Sequence, residues 1–148
     1  MLTDALLAIA HHLLIFALLG LLVVEMMTLR PGMTAATVIR IARLDTAYGA
    51  TATLIVVIGI GRVLFGLKGP EFFVSNWFFW AKMAAFVTVG LLSVPPTLQI
   101  FRWRAALRAN ASFAPPESEI LRARRFMHYE GIVFFLIPVF AALMVRYD

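Results

Sequence analysis

Two adjacent histidines, His11 and His12, and one lysine, Lys82, stand inside otherwise apolar stretches of this chain. Imidazole nitrogens bind transition metals or carry protons near neutral pH. A lysine ammonium holds an anion or, once deprotonated, serves as a ligand or base. Inside a bilayer a centrally placed charge costs roughly 2.5 to 3.5 kcal/mol on insertion scales, so such residues mark a site. The chemistry open to this set is therefore metal or cofactor ligation, anion binding, or both. Cys is absent, which removes disulfides, thiolate metal sites and cysteine nucleophiles together.

The elements that must position these residues are membrane helices. With 62% hydrophobic and 14% charged residues and a mean hydropathy of +0.91, a soluble domain of 148 residues could not cover its apolar surface. A span needs about 20 mostly apolar residues. Four such stretches occur, at 5–28, 44–67, 77–101 and 126–146. Every backbone group must be satisfied inside lipid, which favours helices over open strands. Short connections make neighbours antiparallel, so the expected fold is all-α: an up-down four-helix membrane bundle in a single domain over 1–148. Its first partner is the lipid bilayer.

Punctuation in the sequence sets the boundaries. Pro31-Gly32 stops the first helix, and Gly66, Gly69 and Pro70 mark the second turn. The polar run 109–119 is the third loop, with an amphipathic lead-in to the fourth helix starting near Pro116 or Ser118. Pro95-Pro96 should kink or divide the third helix, and Pro138 should bend the fourth. The first stretch lacks a basic leader and a small-residue cleavage site, so it is expected to remain in the mature protein.

Arginine sets the orientation. Arg30, Arg40, Arg43, Arg102, Arg104, Arg108, Arg122, Arg124 and Arg125 follow helices one and three, whereas Lys68 and Arg146 lie at the opposite side. The positive-inside rule places the arginine-rich loops in the cytoplasm and both termini outside. The net charge of +5 then needs no nucleic-acid partner, since a basic cytoplasmic rim and anionic lipid account for it.

Two polar layers follow from this topology. At 1.5 Å per residue, His11 lies roughly 9 Å in from Ala5, Lys82 roughly 8 Å in from Trp77, and Arg62 about 8 Å from the outer end of helix two. Near the cytoplasmic boundary stand Glu25, Arg43, Asp45, Tyr48, His128, Tyr129 and Glu130, whose opposite charges are expected to neutralise one another, with proton relay as the second reading. His128 enters from that inner side, so it is expected some 15 to 20 Å from the His11 layer, given the bilayer thickness. Ligation of one iron by both is disfavoured.

An imidazole in an apolar bundle is a common anchor for haem iron, and nearby Arg or Lys side chains suit the two propionates. Phe72, Phe73, Trp77, Phe78, Phe79 and Trp80 offer flat apolar surface for a macrocycle, although Trp77 and Trp80 also read as an interfacial aromatic belt. His11 and His12 point about 100° apart on a helix, and His11 returns to within about 40° of Glu25. His11 is therefore the preferred iron ligand, with His12 second. Lys82 is a propionate partner or a sixth ligand. Gly59-Ile60-Gly61 lacks the context of a dinucleotide site and fits close helix approach.

The chain as a whole looks like small four-helix bacterial inner-membrane proteins. It distantly resembles the HemJ-type protoporphyrinogen oxidases through the helix-one histidine, the run Trp77-Phe-Phe-Trp-Ala-Lys82, and Arg125-Phe126 ahead of Glu130. That resemblance implies haem b held at His11 and Lys82, a quinone as candidate electron partner, and the bacterial cytoplasmic membrane as location. The family's Asn-Glu-x-Pro pattern in the last helix is replaced here by Tyr129-Glu130-Gly131-Ile132, and the Trp-to-Lys spacing in helix three differs. Three functions are therefore expected in competition: a haem b redox or haem-handling protein, a protoporphyrinogen oxidase, and a cofactor-free scaffold or small transporter. A homodimer, with haem in or beside the subunit contact, completes the expectation.

Overall fold

The computed structural model describes residues 2–147. Six helices follow one another: α1 (Leu2–Thr28), α2 (Ala35–Phe65), α3 (Gly69–Ser75), α4 (Trp77–Ala109), α5 (Glu117–Phe134) and α6 (Leu136–Arg146). Four segments are long and apolar enough to cross a membrane, namely α1, α2, α4 and the α5–α6 pair over Glu117–Arg146. The all-α four-span architecture is the one expected from the sequence. Among the described residues there is no strand.

Sequence chemistry accounts for the boundaries. After Thr28 the chain turns at Pro31 and Gly32, the latter at φ +80°, where a side chain would strain the backbone. Thr34 then caps α2, its hydroxyl accepting from the Thr37 amide at 3.3 Å. Pro116 precedes α5, as the proline-rich third loop foretold. Helices α2, α4 and α5 reach beyond the expected spans at 35–43, 102–109 and 117–125, and these extensions carry the arginine-rich rim.

Two proline expectations resolve differently. Pro95-Pro96 does not divide the third span: α4 is helical through both, with Pro96 buried. The fourth span does break, at Phe135, three residues before Pro138. Proline at 138 has no amide to give to the Phe134 carbonyl, the residue at which α5 ends.

The helices form a ring in which α1 packs on α2, α2 on α4, α4 on α5 and α6, and α5 on α1. Among the described residues α1 makes no contact with α6, so the ring closes at the arginine-rich end and stays open between α1 and α6 at the other. Buried side chains follow the same division. Leu18, Leu22, Ile41, Ala42, Ile100, Trp103, Ile120 and Met127 fill the closed half, while Phe73, Phe79 and Met144 form a smaller cluster at the other end. In lipid such packing supplies the association that hydrophobic burial supplies in water.

Candidate functional site

The outer polar layer assembles from three helices. His11 of α1 faces α2, where Gly59 leaves room for it: a Cβ at position 59 would stand 3.3 Å from the imidazole Cε1 and 3.8 Å from Nδ1. Close approach at this glycine is what the Gly59-Ile60-Gly61 run offered, and Gly61 similarly faces Leu7. The Nδ1 of His11 is buried without a hydrogen bond of good geometry, although the Ile55 carbonyl interacts with the ring. Arg62, one turn along α2 from Gly59, lies within electrostatic reach of His11, and so does Lys82 of α4. Arg62 and Lys82 also sense each other.

Among the described residues no carboxylate completes this layer. Asp4, the acid of α1 at this end, instead accepts the Leu67 amide at 3.3 Å beyond the end of α2. The Nε of Arg62 is buried and unpartnered. At one level, then, the Arg62 Nε is unpartnered, the His11 Nδ1 lacks a hydrogen bond of good geometry, and two cations have no counter-ion among the described residues. Unsatisfied buried groups of this kind are costly and call for an explanation.

His12 takes the other direction. It is exposed, its Nδ1 is 2.6 Å from the Ala8 carbonyl, and its ring stands 6.3 Å from that of His11 at 83°. This is the divergence that adjacency on a helix requires. Trp77 is 77% exposed and Trp80 51% exposed, with the Trp80 indole donating to the Val74 carbonyl at 2.9 Å. Phe72, Phe73, Phe79 and Trp80 form a chain of edge contacts with centroids 5.2 to 5.8 Å apart. The Lys82 ammonium lies 5.3 Å from the Phe79 ring.

Asn76 escaped the sequence reading and organises this end. Its side-chain oxygen accepts the Phe78 amide at 2.9 Å, capping α4, while its nitrogen donates to the Met144 and Tyr147 carbonyls, each at 3.2 Å. One buried amide thus ties the start of the third span to the end of the fourth. The signal was present as Asn before a long apolar run, but its second role depends on tertiary contact. The short helix α3 was missed as well, being too brief for a periodic pattern.

The inner layer departs from expectation. Glu25, Asp45 and Glu130 are 2%, 5% and 1% exposed, with Tyr48 beside them at 5%. Arg43, His128 and Tyr129, expected in the same layer, point outward. No guanidinium neutralises these acids, because the arginines sit on the helix extensions and outer faces. The hydroxyl of Tyr48 donates to Glu130, and that of Thr97 donates to Asp45 at 2.7 Å. His128, on the outer surface beside this layer, shares no level with His11. Among the described residues no group of three His, Cys, Asp or Glu is arranged to hold a metal ion.

Residues 3–146 match the model of a family described as "Predicted membrane protein (DUF2214)", and the chain belongs to that family. No curated protein and no solved structure matches the chain. The resemblance to HemJ-type protoporphyrinogen oxidases gains no support from these comparisons.

Proposed function

We propose that this member of a membrane-protein family binds haem b, with His11 as an iron ligand and Arg62 and Lys82 as the partners of the propionates. The observation that carries the reading is the outer layer: an imidazole and two cations from three helices, with no carboxylate among them in the described residues, the Arg62 Nε unpartnered and the His11 Nδ1 without a hydrogen bond of good geometry. A ligand with one group that accepts imidazole and two carboxylates meets all three needs. On the same side of the bundle α1 and α6 do not pack on each other, and in this reading the ligand enters there. Bound there, haem would supply one-electron redox chemistry. The protein's part is to orient the imidazole against Gly59, neutralise the propionates and exclude water with the Phe73, Phe79 and Met144 cluster.

His12, exposed and engaged with its own helix, takes no part in ligation in this proposal. The open side between α1 and α6 would be covered by a second copy of the chain, giving a homodimer, and a membrane quinone is the candidate electron partner. The arginine-rich rim supports the reading that this end faces the cytoplasm of a bacterial cell, with both termini outside. Oxidation of protoporphyrinogen is not included, since the family match reaches a membrane protein and no enzyme.

The test is an ultraviolet-visible spectrum of detergent-purified protein from haem-replete cells, oxidised and reduced, with pyridine-haemochrome identification. A Soret band abolished by His11→Ala, retained by His12→Ala and weakened by Arg62→Gln or Lys82→Gln is expected. Colourless protein overturns the proposal and leaves a scaffold or transporter. Crosslinking in native membranes that yields monomer alone overturns the dimer.

A further inference from the structure

The inner layer carries a second inference, independent of haem. Three carboxylates from three helices, Glu25 of α1, Asp45 of α2 and Glu130 of α5, are buried together and lie within electrostatic reach of one another. Clustered acids alone could be a packing device if each oxygen were bonded. Here one is not: Glu25 is 2% exposed and its Oε1 has no partner.

The charged and titratable neighbours can be taken helix by helix. Helix α1 presents Glu25, α2 presents Asp45 and Tyr48, and α5 presents Glu130; α4 presents Thr97, whose hydroxyl is not titratable in this range. Arg43 and His128 are exposed, and among the described residues no cation pairs with any of the three acids. Three ionised carboxylates in such a place would be prohibitively costly. Among the described residues no metal cage is formed either. The remaining small cation that fits a buried oxygen without a cage is the proton.

A cleft also borders this cluster on one side. Between α2 and α4 lies a cleft of about 360 Å³, and Asp45, Tyr48 and Thr97 are in its wall together with Ser93 and Gly90. That is ample for water, which needs a volume of about 30 Å³ and two to four polar partners. Asp45 is thus the member that meets the cleft, while Glu25 and Glu130 stand behind it.

We propose that Glu25, Asp45 and Glu130 form a proton-binding site in the membrane interior, loaded and unloaded through the α2–α4 cleft. A proton arriving from water in the cleft joins an Asp45 oxygen and is shared with Glu25 and Glu130; its departure returns it to that water. No bond to carbon changes and no electron moves. Tyr48 and Thr97 are positioning residues that hold Glu130 and Asp45 in place.

Dicyclohexylcarbodiimide, an apolar reagent that modifies protonated carboxyl groups, provides the test on the full-length protein in liposomes. Adduct mapped by mass spectrometry to Glu25, together with a protonated-carboxyl stretching band at neutral pH that shifts in deuterium oxide, is expected. Glu25→Gln should remove the Glu25 adduct and part of the band, whereas Glu119→Gln, an acid outside the cluster, should leave both. Gly90→Leu, whose added side chain enters open space in the cleft wall, should slow deuterium exchange of the band at least severalfold. An unmodified cluster with no protonated-carboxyl band at neutral pH overturns the proposal. So does a band whose exchange is indifferent to Gly90→Leu. A colourless protein with these signals would refute haem binding and leave the proton site standing.

Discussion

Gly59 offers the sharpest test of the outer site because its neighbour is the imidazole itself. A methyl group at position 59 would lie 3.3 Å from Cε1 of His11, inside the 3.5 to 4.0 Å optimum for two carbons. A few tenths of an ångström must then be absorbed by α1 or by the ring. Overpacking of a tight site costs about 1 to 3 kcal/mol. Gly59→Ala should fall at the lower end and Gly59→Val at the upper. If the cost falls wholly on the ligated state, haem affinity drops by roughly fivefold for alanine and about 100-fold for valine. Gly61→Ala is the internal control, since its Cβ would meet Leu7 at an ordinary 3.8 Å. The assay is haem titration of apoprotein followed in the Soret band, with thermal melting of each apoprotein alongside. Equal haem affinity for Gly59→Val and wild type, with His11→Ala unable to bind, would refute the packing argument. Equal losses at positions 59 and 61 would refute it too.

Three further outcomes are expected. Tyr48→Phe removes the hydroxyl given to Glu130 and should lower stability by about 1 to 3 kcal/mol, the cost of stranding a buried acceptor, read as a lower unfolding midpoint in detergent. Asn76→Ala should cost about 1 to 2 kcal/mol through the lost cap, with faster amide exchange at the end of α6 and none in the core around Trp103. Because the chain has no cysteine, single cysteines report topology cleanly: Ser112→Cys should be shielded from an impermeant maleimide in intact cells and Ser75→Cys labelled, and the reverse pattern would invert the proposed orientation.

How much of this was legible in the sequence depended on whether the signal was local. Four spans, the Pro31-Gly32 stop and the Pro116 start are local and were readable from apolar length and turn residues. So was the side of α1 that faces inward, since the fourteen-residue interval from His11 to Glu25 is nearly a whole number of turns. Pairing was not readable. Arg43 and Asp45 are two residues apart, and only the packing of α2 decides that the acid goes in and the guanidinium out. The bond from Tyr48 to Glu130 joins residues 82 positions apart, and that of Asn76 to Tyr147 joins residues 71 apart. Whether Pro95-Pro96 would divide the third helix or leave it continuous was not readable for a related reason. Proline forbids two donors but does not prevent its neighbours from remaining helical where adjoining helices and side chains support the backbone.

The two polar layers carry opposite sign, which invites the idea that each balances the other. Distance argues against it. His11 and Glu25 are fourteen residues apart on one helix, about 21 Å at 1.5 Å per residue. At an effective dielectric of about 20, unit charges at that separation attract by only about 0.8 kcal/mol, well below the cost of burying either one. Each layer must therefore find its own compensation. The outer one, with His11, Arg62 and Lys82, calls for an anionic ligand; the inner one, with Glu25, Asp45 and Glu130, calls for protons. A bundle that needed only to fold would place apolar residues at these six positions, since replacing buried ionic groups by packed hydrophobic ones is often neutral or stabilising. That neither layer is neutralised by an opposite charge among the described residues is the physical reason to look for two different ligands at the two depths.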